Sequence, residues 1–488
     1  MVIESLKYKI LQQFGFAPTQ EQGQALDTFV SFLTDRDPQA VMMLRGSAGT
    51  GKTSLSGAIV RTLLQIRQKV MLLAPTGRAA KVFSLGSGAP AYTIHRRIYR
   101  EKAFAGVDGQ FSLNDNLYTD TLFMVDEASM IANMGLGGTT FGSGCLLDDL
   151  VKFVYQGHND RLLLIGDKAQ LPPVGEEESP ALSASVMEGY GLKVYECDLN
   201  EVLRQSQSSG ILYNATLIRQ MITHDAVTGL PLIRFKGFAD IVMMPGAELV
   251  ESLGDSYHHV GMDETMVITR SNKRANIYNN GIRNMVLDRE EELSSGDMLM
   301  IVKNNYFWTE KEKKESGEGS AGAVPAFLAN GDRAKVLRVS NYIELYGFRF
   351  ATLLLQLPDY DDYEMQVTGM LDTLQSEAPA LTHEQQEELF RQVEEDYQHF
   401  VPLKADRMKS IRQDAYFNAL QIKYAYAVTC HKAQGGQWAH VYVDQGYMTD
   451  DMLTPDYIHW LYTAFTRATD KLFLVNWPKE QTCEPTDL

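Results

Sequence analysis

The chain has 488 residues, 44% hydrophobic and 22% charged, which supplies more than one core and excludes a disordered or fibrous chain. No apolar run approaches the ~20 residues that span a bilayer, and the opening MVIESLKYKILQQF is amphipathic rather than a signal peptide, so a cytoplasmic protein is expected. Cys145, Cys197, Cys430 and Cys483 stand too far apart for a C-x-x-C metal site or a disulfide framework, and 45 Lys and Arg against 62 Asp and Glu leave a net charge of −17, which speaks against nucleic acid in bulk.

Taken from the start, Phe16-Ala-Pro-Thr-Gln-Glu-Gln22 reads as a helix start, and its Gln22 amide has the donor and acceptor that an adenine edge requires. The apolar run VMML then leads into Gly46-Ser47-Ala48-Gly49-Thr50-Gly51-Lys52-Thr53, which matches G-x-x-x-x-G-K-[ST] between a strand-like and a helix-like segment. In such a loop backbone N–H groups close around phosphates, Lys52 reaches the β- and γ-phosphates of ATP, and the Thr53 hydroxyl holds Mg²⁺. Three further runs, KVMLLAP, TLFMVDE and RLLLIGD, each end in small or acidic residues like buried parallel strands, which predicts a doubly wound α/β lobe over 1–192. TLFMV ends in Asp126-Glu127, the pair that Mg²⁺ and an attacking water would need; alone, the pair reads as a solvated loop. Between 99 and 120 a polar insertion with Val-Asp-Gly at its middle predicts a β-hairpin.

A second α/β lobe is expected over 193–296 and 421–488, from TMVITRSN, YAVTCHKAQG, HVYVDQ and KLFLVNW. Residues 297–420 interrupt it. GDMLMIVKNNY, FLANGDRAKVLRV and IELYGFRFATLLLQL predict a small inserted barrel, with KEKKESGEGSAG as a loop. From Asp359 to Phe400 acids crowd together, opposed only by Arg391, and Thr382 with Gln385 offers a capping box, so this stretch reads as a solvated helical appendage. The net charge therefore misrepresents any groove elsewhere.

TQEQ, GSAGTGKT, LLAPTGRAAKVF, TIH, VDEASM, GDKAQLPPVG, EVLRQS, AVTCHKAQGG and LYTAFTRA follow one another in an order that resembles superfamily 1 helicases, specifically their 5′→3′ branch of RecD-like, phage Dda-like and Pif-type enzymes. The resemblance implies two RecA-like lobes sharing one ATP site, an SH3-like barrel, and a monomeric motor unwinding DNA from single-stranded and forked junctions. It makes Glu127 the base, Asp126 a metal ligand, Gln170 the γ-phosphate sensor, and Arg204 and Arg467 arginine fingers; surface or capping arginines are the alternative. Gly435 and Gln437 would lie beside the nucleotide, although many relatives have an acid where this chain has Gln437. Pro75, Thr76, Gly77, Arg78, Thr93 and His95 would hold the DNA backbone from the first lobe, and Thr429, His431 and Lys432 from the second; His95 reads equally as a packed histidine. Asn304, Asn305 and Tyr306 would touch the strand from the barrel, or are turn residues. The hairpin would be a strand-separating pin with Phe104 or Phe111 as wedge, or as anchor. An RNA-directed helicase, a remodelling ATPase and a nuclease-helicase are the rival readings.

Overall fold

The computed structural model describes residues 2–104, 109–135, 142–201, 208–223, 229–316, 325 and 327–483. The first lobe is a six-stranded, wholly parallel sheet in the order Ala91–Thr93, Lys69–Ala74, Thr121–Val125, Arg161–Gly166, Ala40–Gly46, Lys193–Leu199. Its central strands are buried along their whole length, so their unbroken apolar runs are what a sheet covered on both faces demands. Phe123, fully buried, meets Tyr118 and Phe153 edge-on at 5.5 and 6.0 Å, and truncating such a ring costs about 3–5 kcal/mol. The last strand lies beyond the expected boundary at 192. It pairs with the P-loop strand from Ala40↔Lys193 to Gly46↔Leu199, so the first lobe runs at least to Leu199. Alternating exposure in that edge strand hid its membership.

The second lobe is a five-stranded parallel sheet in the order Ala427–Thr429, Thr265–Thr269, Trp438–Asp444, Ala468–Val475, Ile241–Met244. Four strands were expected; Ile241–Met244 is only four residues long and gave little periodicity. A closed five-stranded barrel is inserted between Thr265–Thr269 and Ala427–Thr429, from Met298–Ile301, Arg333–Leu345, Phe348–Leu357, Tyr363–Met370 and Leu420–Tyr424. Two expectations are corrected here. Tyr363–Met370, inside the acidic stretch, is a barrel strand whose alternate residues are buried, and Leu420–Tyr424 closes the barrel, which moves the return to the second lobe past 424. The appendage proper is the helix His383–Gln398, with the Thr382/Gln385 capping box formed, packed with Lys404–Arg412 on an apolar cluster that includes Phe350, Leu389 and Ile411. The first part of the expected charged loop is instead the helix Phe307–Ser316.

The hairpin is present, with Tyr99–Phe104 antiparallel to Gly109–Leu113. Its connecting residues, the side chain of Phe104, and Arg204 lie outside the described residues. No helix among the described residues is long and apolar enough to cross a membrane.

Candidate nucleotide and nucleic-acid site

Parallel strands carry their loops at one end, so Gly46, Asp126 and Asp167 emerge side by side from neighbouring strands. The P-loop is shaped by Gly49 and Gly51, both left-handed at φ +77° and +81°, and by a crowded Gly46, where a Cβ would stand 2.9 Å from Leu199 and Thr50. Lys52 opens the helix Lys52–Gln65 and its Nζ donates to the Gly46 and Ser47 carbonyls at 2.5 and 2.9 Å, while the Thr53 side chain is exposed at the helix start. Thr50 Oγ1 donates to Ser47 O at 2.8 Å, and the buried Ser47 hydroxyl has no hydrogen-bond partner among the described residues.

Gln22 departs from its expected role. Its buried amide donates from Nε2 to the Thr50 carbonyl at 2.9 Å and accepts at Oε1 from Thr19 N–H at 3.0 Å, so both ends brace the P-loop and the helix cap. Burial, with the charge of Glu127 adjacent, raises Asp126 well above the usual carboxylate range, opposed by the Glu127 backbone N–H and by Lys52. Glu127 itself sits at φ +52°, a conformation that costs a non-glycine residue about 1–3 kcal/mol and is found at functional sites.

The second lobe reaches across to this loop end. From the helix Pro455–Phe465, the Tyr462 hydroxyl accepts from Ala48 N–H at 3.0 Å and donates to Asp167 Oδ2 at 2.6 Å. Thr463 Oγ1 accepts from Leu171 N–H at 2.8 Å, Gln434 Nε2 donates to the Leu171 carbonyl at 2.7 Å, and the His459 ring meets Ala169 O at 2.9 Å. Residues 167–171 are thus gripped from the far lobe, and Gln170 among them has a buried Oε1 with no partner among the described residues. Arg467, at the end of the same helix, is 2% exposed and donates only to neutral oxygens among the described residues: Thr463 O, Gly436 O and Thr466 Oγ1. Its charge is therefore offset by no acid among those partners. Sequence reasoning missed Tyr462, although it stands inside LYTAFTRA; a tyrosine amid apolar residues reads as core.

Of the expected strand contacts, Thr76 and Thr93 cap helices, their hydroxyls accepting from Ala79 and Arg96 N–H. Pro75 is half-buried at the end of its strand. Arg78 is corrected: it lies 4.5 Å over the Trp438 ring and donates to the Gln437 carbonyl at 2.6 Å, joining the lobes. Gln437 takes part through that carbonyl, with its side chain exposed. Gly435, at φ +72°, presses on Thr76 and Ala79, and Gly77 on Asp332 of the barrel, where a Cβ would fall 2.4 Å from Oδ1. Both therefore serve packing between domains. His95 packs 5.7 Å from the Tyr99 ring, and burial lowers it to about 4, so it is neutral at physiological pH. Thr429 begins a short helix without a side-chain capping bond, and His431 is exposed beside it. Lys432 has a buried Nζ with no hydrogen-bond partner among the described residues, and burial, with Lys423 nearby, lowers it to about 8.

Asn304 and Asn305 prove to be turn residues: Asn304 Oδ1 accepts from Asn330 N–H at 2.7 Å, and Asn305 bonds Asn418 O and Trp308 N–H. Tyr306 is stacked on Phe327 at 4.7 Å and contacts Phe111 at 4.9 Å. Phe111 therefore anchors the hairpin to the barrel.

The family description "AAA domain" matches residues 17–229, and "UvrD-like helicase C-terminal domain" matches 424–475. The ATP-dependent RecD2 DNA helicase of Deinococcus radiodurans is 30% identical over 32% of this chain and 18% of its own length. The ATP-dependent DNA helicase dda of Enterobacteria phage T4 is 25% identical over 53% of this chain and 55% of its own. The chain thus spans well under two thirds of these curated relatives. The Pif1 helicase from Bacteroides, solved in complex with ADP-AlF3 and ssDNA, aligns with 96% of this chain and 95% of its own at 13% identity and a TM-score of 0.46.

Proposed function

We propose that this chain is a superfamily 1 helicase of the RecD-, Dda- and Pif1-like branch, an ATP-driven motor that moves 5′→3′ along single-stranded DNA and parts the duplex ahead of it; the matches to helicase-type domains and relatives support this reading. The observation that carries the reading is the single helix Pro455–Phe465, which places Tyr462 on the P-loop of the other lobe and leads directly to the buried, acid-free Arg467.

In this reading ATP lies on the Gly46–Thr53 loop with Lys52 at its β- and γ-phosphates. Thr53 and Asp126 are hard oxygen donors at neighbouring loop ends and fit Mg²⁺, which when bound neutralises phosphate charge. Glu127 takes the proton of the attacking water, Gln170 positions that water by its unpartnered amide oxygen, and Arg467 and Arg204 stabilise the transferring phosphoryl group. Since Arg467 comes from the second lobe, hydrolysis requires the lobes to be closed, and loss of phosphate lets them separate. Alternating grips on the backbone then turn that cycle into steps, with Thr429, His431 and Lys432 supplying the grip from the second lobe.

The proposal is tested by measuring ATP hydrolysis with and without single-stranded DNA, and with RNA of the same sequence. DNA is expected to stimulate the wild type strongly and Lys52→Ala to abolish turnover. Equal stimulation by RNA would favour an RNA-directed motor, and hydrolysis surviving Lys52→Ala would overturn the site.

A further inference from the structure

Between the barrel, the helix Phe307–Ser316 and the helical appendage lies an open cleft of about 900 Å³ that none of the nucleotide-site residues lines. In a chain of net charge −17, its wall carries Lys303, Lys311, Lys314, Lys409 and Arg412 against the single acid Glu310. Lys311, Lys314 and Lys409 are exposed. Tyr306, Phe111 and Phe417 supply aromatic surface in the same wall. A groove that holds single strands without reading their sequence combines cations along its wall with aromatic surface, and both are present here.

Its position distinguishes it from the path over the lobes. Thr93, His95, Thr429, His431 and Lys432 of the lobes do not line it; Phe111 of the hairpin and Asn304, Asn305 and Tyr306 of the barrel do. Resting on the helicase reading above, we propose that this cleft binds the sugar–phosphate backbone of the displaced strand, holding it apart from the strand on which the lobes move. A hairpin that parts a duplex leaves one strand on each side, and capture of the second strand hinders reannealing at a junction where each step is worth only about 1.4 kcal/mol.

The test compares the full chain with the Lys314→Glu/Lys409→Glu variant, whose exposed positions leave the fold intact. Binding is measured by fluorescence anisotropy to a fork with both arms and to a 5′-tailed duplex lacking the second arm, across a salt series. The wild type is expected to bind the fork about tenfold more tightly, and the variant to bind both alike, with its salt slope on the fork reduced by about 1.4, as two lost single-strand phosphate contacts imply. Hydrolysis stimulated by single-stranded DNA is expected to be unchanged. A fork preference absent from the wild type or retained by the variant would overturn the proposal. So would a parallel loss of stimulated hydrolysis, since the cleft would then hold the tracked strand. Failure of the motor reading would appear instead as a wild type that DNA does not stimulate, and the binding comparison is read independently of it.

Discussion

Where the first lobe meets the second, the contacts are hydrogen bonds between motif residues: Tyr462 to Ala48 and Asp167, Thr463 and Gln434 to Leu171, Arg78 to Gln437. Where it meets the barrel, they are ring stacking and buried carboxylate. Phe111 lies on Tyr306, and Asp332 fits against Gly77 while accepting from Tyr360 OH at 2.6 Å and Ala329 N–H at 2.7 Å. Lys81 completes that seam by donating to Pro358 O at 2.5 Å. The first joint consists of bonds that phosphate oxygens and their counter-groups can replace one for one, so it suits repeated opening. The second cannot open without exposing rings, and because the barrel also shares one continuous apolar core with the second lobe, it packs against both lobes.

That contrast can be broken at either joint. The largest effect is expected from Arg467→Ala, which removes a cation from the joint between the lobes: hydrolysis should fall by about 10³-fold or more while nucleotide binding persists. Steady-state kinetics beside a nucleotide-binding titration reads both, and an equal loss of binding would make Arg467 a structural residue. Tyr462→Phe should act more mildly. Its hydroxyl occupies an N–H of the P-loop that a phosphate would use, so nucleotide affinity without DNA should rise several-fold, in keeping with one hydrogen bond of about 1 kcal/mol. Weaker binding would show that Tyr462 supports the loop rather than competing for it.

The smallest effect belongs to the seam. Burial raises Asp332 to about 7, so between its ordinary value and that point the folded protein binds a proton that the unfolded chain does not. Stability contributed by this residue is therefore greatest at low pH and falls as pH rises through the window, until above about 7 the ionised carboxylate carries its full burial cost. Asp332→Asn should raise the melting temperature relative to wild type by about 2 °C or more at pH 8, and by less at pH 5.5. A difference independent of pH would mean that the carboxylate is not ionising in the seam.

The placement of the nucleotide motifs was legible in the sequence because it is local: GSAGTGKT, VDEASM and GDKAQL each fall at a strand end, and a parallel sheet gathers strand ends. What stayed hidden depends on neighbours distant in the chain. Gln22 has the right chemistry for adenine, yet Thr50 claims its amide; Arg78 looked like a phosphate ligand until Trp438 was seen beneath it. The acidic stretch was misread for a related reason. Glu364 and its neighbours alternate with Met365 and Val367, and that period of two was masked by charge count. The cleft beside the barrel was least legible, since Lys303, Lys314 and Lys409 come from a loop and two separate helices and none belongs to a motif.

The central claim is directional movement powered at the joint between the lobes. It is tested most directly by unwinding matched duplexes that bear only a 5′ or only a 3′ single-stranded tail, with ATP and Mg²⁺, beside the Lys52→Ala protein. The account predicts separation of the 5′-tailed duplex alone, and none by the variant. Separation of the 3′-tailed duplex alone would contradict the polarity, and separation by Lys52→Ala would contradict the motor.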